Sequence, residues 1–193
     1  MHVLRFFSLF TLLIVLSSCS APPKWEVVEE SALSAAESVQ LEAAIAARDE
    51  LAKSLMLRLL EGMQSGGARA AIDVCKVAAP EVAADINATK PLTIGRTSHR
   101  LRNPKNHAPA WAAPFVKEMR SEQVLLRHGG NGAFAALFPI KLQGQCLQCH
   151  GPTEQIAPEV RASLKAAYPK DEATGFREGE LRGWFHVTVP GPM

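Results

Sequence analysis

One pentapeptide in the sequence has the residue types and spacing for metal chemistry: Cys146-Leu147-Gln148-Cys149-His150. Two residues between the thiols put both sulfurs on one helical turn, and the imidazole that follows hangs beside them. This C-x-x-C-H spacing is the pattern of c-type haem attachment: the sulfurs form thioethers with the haem vinyl groups, and the histidine binds iron from the proximal side. A single motif implies one covalent haem. A thioredoxin-type dithiol would want a βαβ setting, which the surrounding strand and Gly151-Pro152 do not supply. A zinc site would want a second cysteine pair, which the sequence lacks.

The sixth iron position decides function, and its candidates are Cys75, His99, His107, His128, His186, Met56, Met63, Met119 and Met193. Cys75 leads on residue grounds. It lies on the apolar stripe Ile72, Cys75, Ala79, Val82, Ile86 of a helix, faces inward, and has no covalent partner among the other cysteines. A small buried hydrophobe is the competing role for it. His186 alternates with Phe185 on a strand and faces the other way. His99 and His107 fall in a polar loop region where solvated histidines are ordinary. Haem propionates are carboxylates and need donors; Arg96, Arg100 and Arg102 are partners for them by bidentate hydrogen bonding, or else form a solvated basic loop.

The elements that must position these residues follow a leader. Residues 1–18 read as a signal peptide with Arg5 before the apolar run 6–16, which is too short to span a bilayer. It ends in Leu16-Ser17-Ser18-Cys19, like the lipobox of bacterial lipoproteins, so Cys19 is the expected lipidation site and 19–25 a lipidated tether. Ser20 after Cys19 favours, by family analogy, the periplasmic side of the outer membrane. Export also sets an oxidising compartment, in which a lone thiol such as Cys75 wants an explanation.

The remaining stretch, 26–193, is long enough for one core and one domain, and the whole chain of 193 residues is 47% hydrophobic. Its 21 Lys plus Arg against 19 Asp plus Glu leave a net charge of +2, which excludes the concentrated positive field of a nucleic-acid binder. Composition predicts a long helix over 26–63, closed by Gly62, Gly66 and Gly67, then a second from Ala68 that Pro80 kinks or restarts. Strands are expected over 92–98, 133–142 and 183–189, with helices over 111–126 and 158–167 and a polar loop over 168–179. Helices against a small antiparallel sheet describe an α+β domain.

The segments Ala71-Ile72-Asp73-Val74-Cys75 with Ala79-Pro80, Gly95-Arg96-Thr97-Ser98, Arg102-Asn103-Pro104-Lys105-Asn106, 146–151, and Ala173-Thr174-Gly175-Phe176 with Gly183 resemble a family of single c-type haem, PAS-like, sensor-type domains with His/Cys haem ligation. The likeness covers 68–190. It implies a PAS-like antiparallel sheet flanked by helices, preceded here by a long N-terminal helix, with haem between the helical layer and the sheet. It also implies that Cys75 is the distal ligand opposite His150. A thiolate there favours ferric iron, and its release on reduction would open the sixth site to CO or NO. Two functions follow: an electron carrier, or a redox or diatomic-gas sensor acting through an unidentified redox partner or signalling protein. An enzyme of peroxidase type needs an open iron with a distal acid or base, and no such constellation stands out, so no enzyme activity is expected.

Overall fold

The computed structural model describes residues 25–192. The expected signal peptide, Cys19 and all of the tether before Trp25 lie outside the described residues. Along the chain run β1 (Trp25–Val27), α1 (Ala35–Thr89), β2 (Thr93–Thr97), α2 (Ala113–Lys117), β3 (Val124–His128), β4 (Phe134–Lys141), α3 (Leu147–His150), α4 (Pro158–Ala167) and β5 (Leu181–Val189). The strands form one antiparallel sheet in the order β1-β3-β4-β5-β2, flanked by helices, which is the α+β class expected.

Helix α1 starts later than composition suggests. Ser34 caps it: its hydroxyl accepts the Glu37 amide at 3.3 Å, and the Glu37 carboxylate accepts the Ser34 amide at 2.8 Å. Upstream, Trp25-Glu26-Val27 leaves the helix for the sheet edge, with Trp25 opposite His128 and Val27 opposite Leu126. Bulky aromatic and β-branched side chains favour that choice once a partner strand exists. The helix expected over 111–126 shrinks to the five residues of α2, and its second half becomes β3, which pairs with β4 from Val124↔Leu137 to Arg127↔Phe134. Helical dihedrals run on through Pro80, so no new segment opens there. Lys76 and Pro80 are both exposed, and water can take the carbonyl that the proline leaves unpaired.

The break in α1 falls where glycines are expected to close the first helix, at Gly66 (φ −165°, ψ 25°) and Gly67 (φ 66°, ψ −158°). There the helix folds back on itself. A Cβ on Gly62 would stand 2.7 Å from Ala71 Cα, so the two arms touch backbone to backbone near the turn. Farther along, Lys90 Nζ meets Glu50 Oε2 at 3.0 Å.

The sheet has two covered faces. Against one, α1 lays Leu41, Ala44, Ala47, Leu51 and Ile86 onto Ile94, Leu125, Phe134, Ala136, Phe138, Val187 and Val189. On the other, Val124, Leu126, Ala135, Leu137 and Trp184 pack under Ala112 and Val116, with Trp25, Trp111 and Phe115 at the margin. The register aligns Phe138, Phe185 and Arg96 in one row across β4, β5 and β2, which puts Arg96 on the α1 side.

The positive φ and extended ψ of Gly67 belong to a region essentially reserved for glycine. Gly67→Ala is therefore expected to cost about 1–3 kcal/mol in denaturant unfolding. A variant as stable as wild type would show that the turn between the arms is not fixed as described.

Candidate functional site

The cysteine motif leaves the sheet at the end of β4. Leu142 and the turn before β5 hold that exit: the Leu142 amide donates to the Glu180 carbonyl at 3.0 Å, and the Gly179 amide donates to the Leu142 carbonyl at 2.8 Å. A tight turn through Gly144–Cys146 then leads into α3. Gly151 ends that helix with its amide on the Leu147 carbonyl at 2.9 Å, where a Cβ would come within 2.6 Å of the same oxygen. The loop 173–176 clasps the turn from outside. Phe176 donates to the His150 carbonyl at 2.9 Å and Gly175 to the Gly151 carbonyl at 2.7 Å.

His150 is oriented by this clasp. Its Nδ1 lies 2.7 Å from the Ala173 carbonyl. A carbonyl only accepts, so Nδ1 carries the proton and Nε2 is left with its lone pair. Arg182 Nε approaches the same Nδ1 at 3.3 Å, but a protonated nitrogen cannot accept from it, and the shorter contact prevails. Burial first, then the Arg102 and Arg182 charges, hold the His150 pKa well below the usual imidazole value. The ring is neutral at physiological pH, the form that binds a metal.

The thiols converge around it. Cys149 packs with Ile72, Ile156, Val160 and Leu164, between the second arm of α1 and α4. Cys146 sits with Leu142, Ala173 and Phe176. Cys75 stands three residues beyond Ile72 on that arm, half-buried, within electrostatic reach of Cys149, Arg96, Arg102 and Tyr168. Burial raises the Cys75 thiol pKa, and Arg96 and then Arg102 offset part of that rise. Cys75, Cys146 and Cys149 are all free thiols.

Positive charge gathers at the same place. Arg96 is pulled down by burial and supported by the Cys75 thiol and the Tyr168 phenol rather than by a carboxylate. Arg182 is pushed down to about 10, chiefly by burial, with Arg102 and Arg96 adding repulsion. Its Nη1 donates to Ser98 Oγ at 2.8 Å and to the Arg100 carbonyl at 3.1 Å. Arg102 pairs with Asp171 at 3.0 Å. Its Nη1 lies 3.4 Å from His150 Nε2, the one contact that a metal bonded to Nε2 would replace. Arg100 stacks over Phe176 with Cζ 4.2 Å from the ring centre.

The donor set fits a c-type haem. Two thiols share the turn that carries a neutral imidazole with Nε2 available, a third thiol stands nearby, and buried guanidiniums could meet carboxylates. Among the described residues, no group of three or more His, Cys, Asp or Glu forms a cage for a bare ion.

The other candidate ligands go elsewhere. His107 Nδ1 is 3.3 Å from the Pro104 carbonyl, and His128 packs edge-on to Trp25. His99 lies against Phe176 and Trp184, and its buried Nδ1 has no hydrogen-bond partner. His186 covers Gly95 on the sheet face away from α1, beside Trp111. Met56 and Met119 are exposed, Met63 is half-buried, and Met193 lies outside the described residues. Sequence reasoning missed Asp171, Arg182 and the Ala173 carbonyl. The Asp171-x-Ala173 turn, in which Oδ1 accepts the amide two residues on at 2.8 Å, is the one local signal among them.

Fold and site together define an α+β protein with a thiol and imidazole centre beside a buried basic cluster. The chain belongs to the Tll0287-like family, whose model matches residues 26–190. Among solved structures it is similar to the crystal structure of the cyanobacterial heme-protein Tll0287, with a TM-score of 0.58 and 22% identity over 80% of this chain and 97% of that one. No curated protein matches it.

His186 yields a pH prediction. Burial lowers its pKa from 6.5 to about 4. The unfolded chain therefore takes up the proton first as pH falls, so the stability held above the unfolded value is lost progressively between pH 6.5 and about 4. That loss is roughly 3 kcal/mol. The difference in unfolding free energy between wild type and His186→Gln, followed against pH, should narrow over this window. A constant difference would assign the acid sensitivity to other groups.

Proposed function

We propose that the chain is a monohaem c-type cytochrome with a PAS-like domain. Cys146 and Cys149 would hold the haem through thioethers, and His150 Nε2 and the Cys75 sulfur would bind its iron. The observation that carries this reading is the 2.7 Å bond from His150 Nδ1 to the Ala173 carbonyl, which leaves the lone pair on Nε2 in a motif spaced for haem attachment. The fold shared with a protein described as a heme-protein supports it.

When bound, the haem supplies a one-electron iron couple. The protein's part is to fix and tune it. His150 is held as a neutral donor. Cys75 as a thiolate stabilises the ferric state, and the Arg96 and Arg102 charges beside it lessen the cost of burying that anion. Arg96 has no ion-pair partner among the described residues, which leaves its fork for a propionate.

The protein is redox-active and acts as an electron carrier or as a redox or diatomic-gas sensor through a partner, not as an enzyme. It is lipid-anchored through Cys19 on the periplasmic side of the bacterial outer membrane. Among the described residues no helix is long and apolar enough to cross a membrane. A reduced-protein spectrum that changes under CO or NO favours the sensor, and one that stays unchanged favours the carrier.

Intact mass of protein made in a host with cytochrome maturation should show one added haem, with Cys146 and Cys149 blocked to alkylation. Bare polypeptide would overturn the reading. Cys75→Ala should keep the haem, change the ferric absorption spectrum and raise the midpoint potential. An unaltered spectrum would return Cys75 to a packing role.

A further inference from the structure

Arg102 and Asp171 form the most buried ion pair among the described residues, with Nε to Oδ2 at 3.0 Å and side chains 14% and 10% exposed. Both partners are committed further. Asp171 Oδ1 accepts the Ala173 amide at 2.8 Å. Arg102 Nη2 donates to the Cys149 carbonyl and, at 3.2 Å, to the Ala173 carbonyl. That second carbonyl is the one His150 Nδ1 uses. The pair therefore grips both ends of the orienting bond: residue 173 through its amide and its oxygen, and the peptide that joins Cys149 to His150.

We infer that Arg102 and Asp171 are positioning residues for His150, a clamp that fixes the imidazole's rotation and tautomer rather than a donor for haem carboxylates. The planar fork suits it, because a guanidinium holds Nε and Nη2 in fixed, separate directions toward the carboxylate and the two carbonyls, whereas an ammonium gathers its donors on one atom of a flexible stem. An imidazole whose Nδ1–H is held by a carbonyl is a more basic ligand, so loosening the clamp weakens His150 as a donor and destabilises the ferric state. The bonds of the clamp are made by the protein itself. The inference rests on the haem reading only for its redox signature.

The test uses full-length wild type, Asp171→Asn, Arg102→Gln and Arg102→Lys, matured with haem and compared by intact mass, ferric electron paramagnetic resonance and midpoint potential. Asp171→Asn keeps an oxygen for the Ala173 amide and is the mildest change. We expect all three variants to retain haem, to replace a single low-spin ferric species by two or more, and to shift the potential upward. The direction separates clamp from field. Removing a positive charge by field alone lowers the potential in Arg102→Gln, while removing a negative one raises it in Asp171→Asn. Opposite shifts with one unaltered ferric species, or no change in Asp171→Asn, would overturn the clamp, as would full restoration by lysine. Should wild type itself come out without haem, the proposed function fails separately. The nitrogen chemical shifts of the His150 ring then decide the clamp: Nδ1–H alone in wild type and mixed tautomers in Asp171→Asn support it, and identical spectra refute it.

Discussion

The hydrogen bond between His150 Nδ1 and the Ala173 carbonyl is the constraint on which the site depends. It chooses the tautomer, and with it which nitrogen keeps a lone pair. It is kept by a backbone clasp rather than by one contact: the carbonyls of 149, 150 and 151 are taken in turn by Arg102, Phe176 and Gly175. With those acceptors satisfied, a short helix of four residues stands in a fixed pose at the end of a strand.

Around that pose the protein accepts an electrostatic cost. Arg96, Arg102 and Arg182 repel one another in partly dehydrated surroundings, and Asp171 is the carboxylate that offsets them. Such a cluster is tolerable where acceptors and anions surround it. Arg182 has Ser98 Oγ and the Arg100 carbonyl, and Arg102 has Asp171 and two carbonyls. Arg96 faces the α1 side, where Cys75 stands, so the least committed cation and the third thiol meet at the same wall.

The large helices were legible because their apolar residues recur at helical spacing, and β2, β4, β5 and α4 because turn residues bound them. β1 and β3 were not. Trp25–Val27 is three residues long, and Val124–His128 carries leucine and arginine that suit a helix equally well. Each is a strand because another strand lies beside it, and that fact is not local. At Pro80 the restart was not realised for the opposite reason: a strong local signal was overridden where both it and Lys76 face water.

The cluster of two thiols and an imidazole was legible in the sequence alone, since groups within five residues share a turn whatever surrounds them. So was the inward stripe that carries Cys75. What the tertiary structure decided was which partners they meet. Ala173 lies 23 residues from His150, and Asp171 lies 69 from Arg102. Bonds across such separations depend on how β2, the β5 entry and the loop between α4 and β5 close around α3. Periodicity reports only which side of an element is apolar, so it cannot carry that closure.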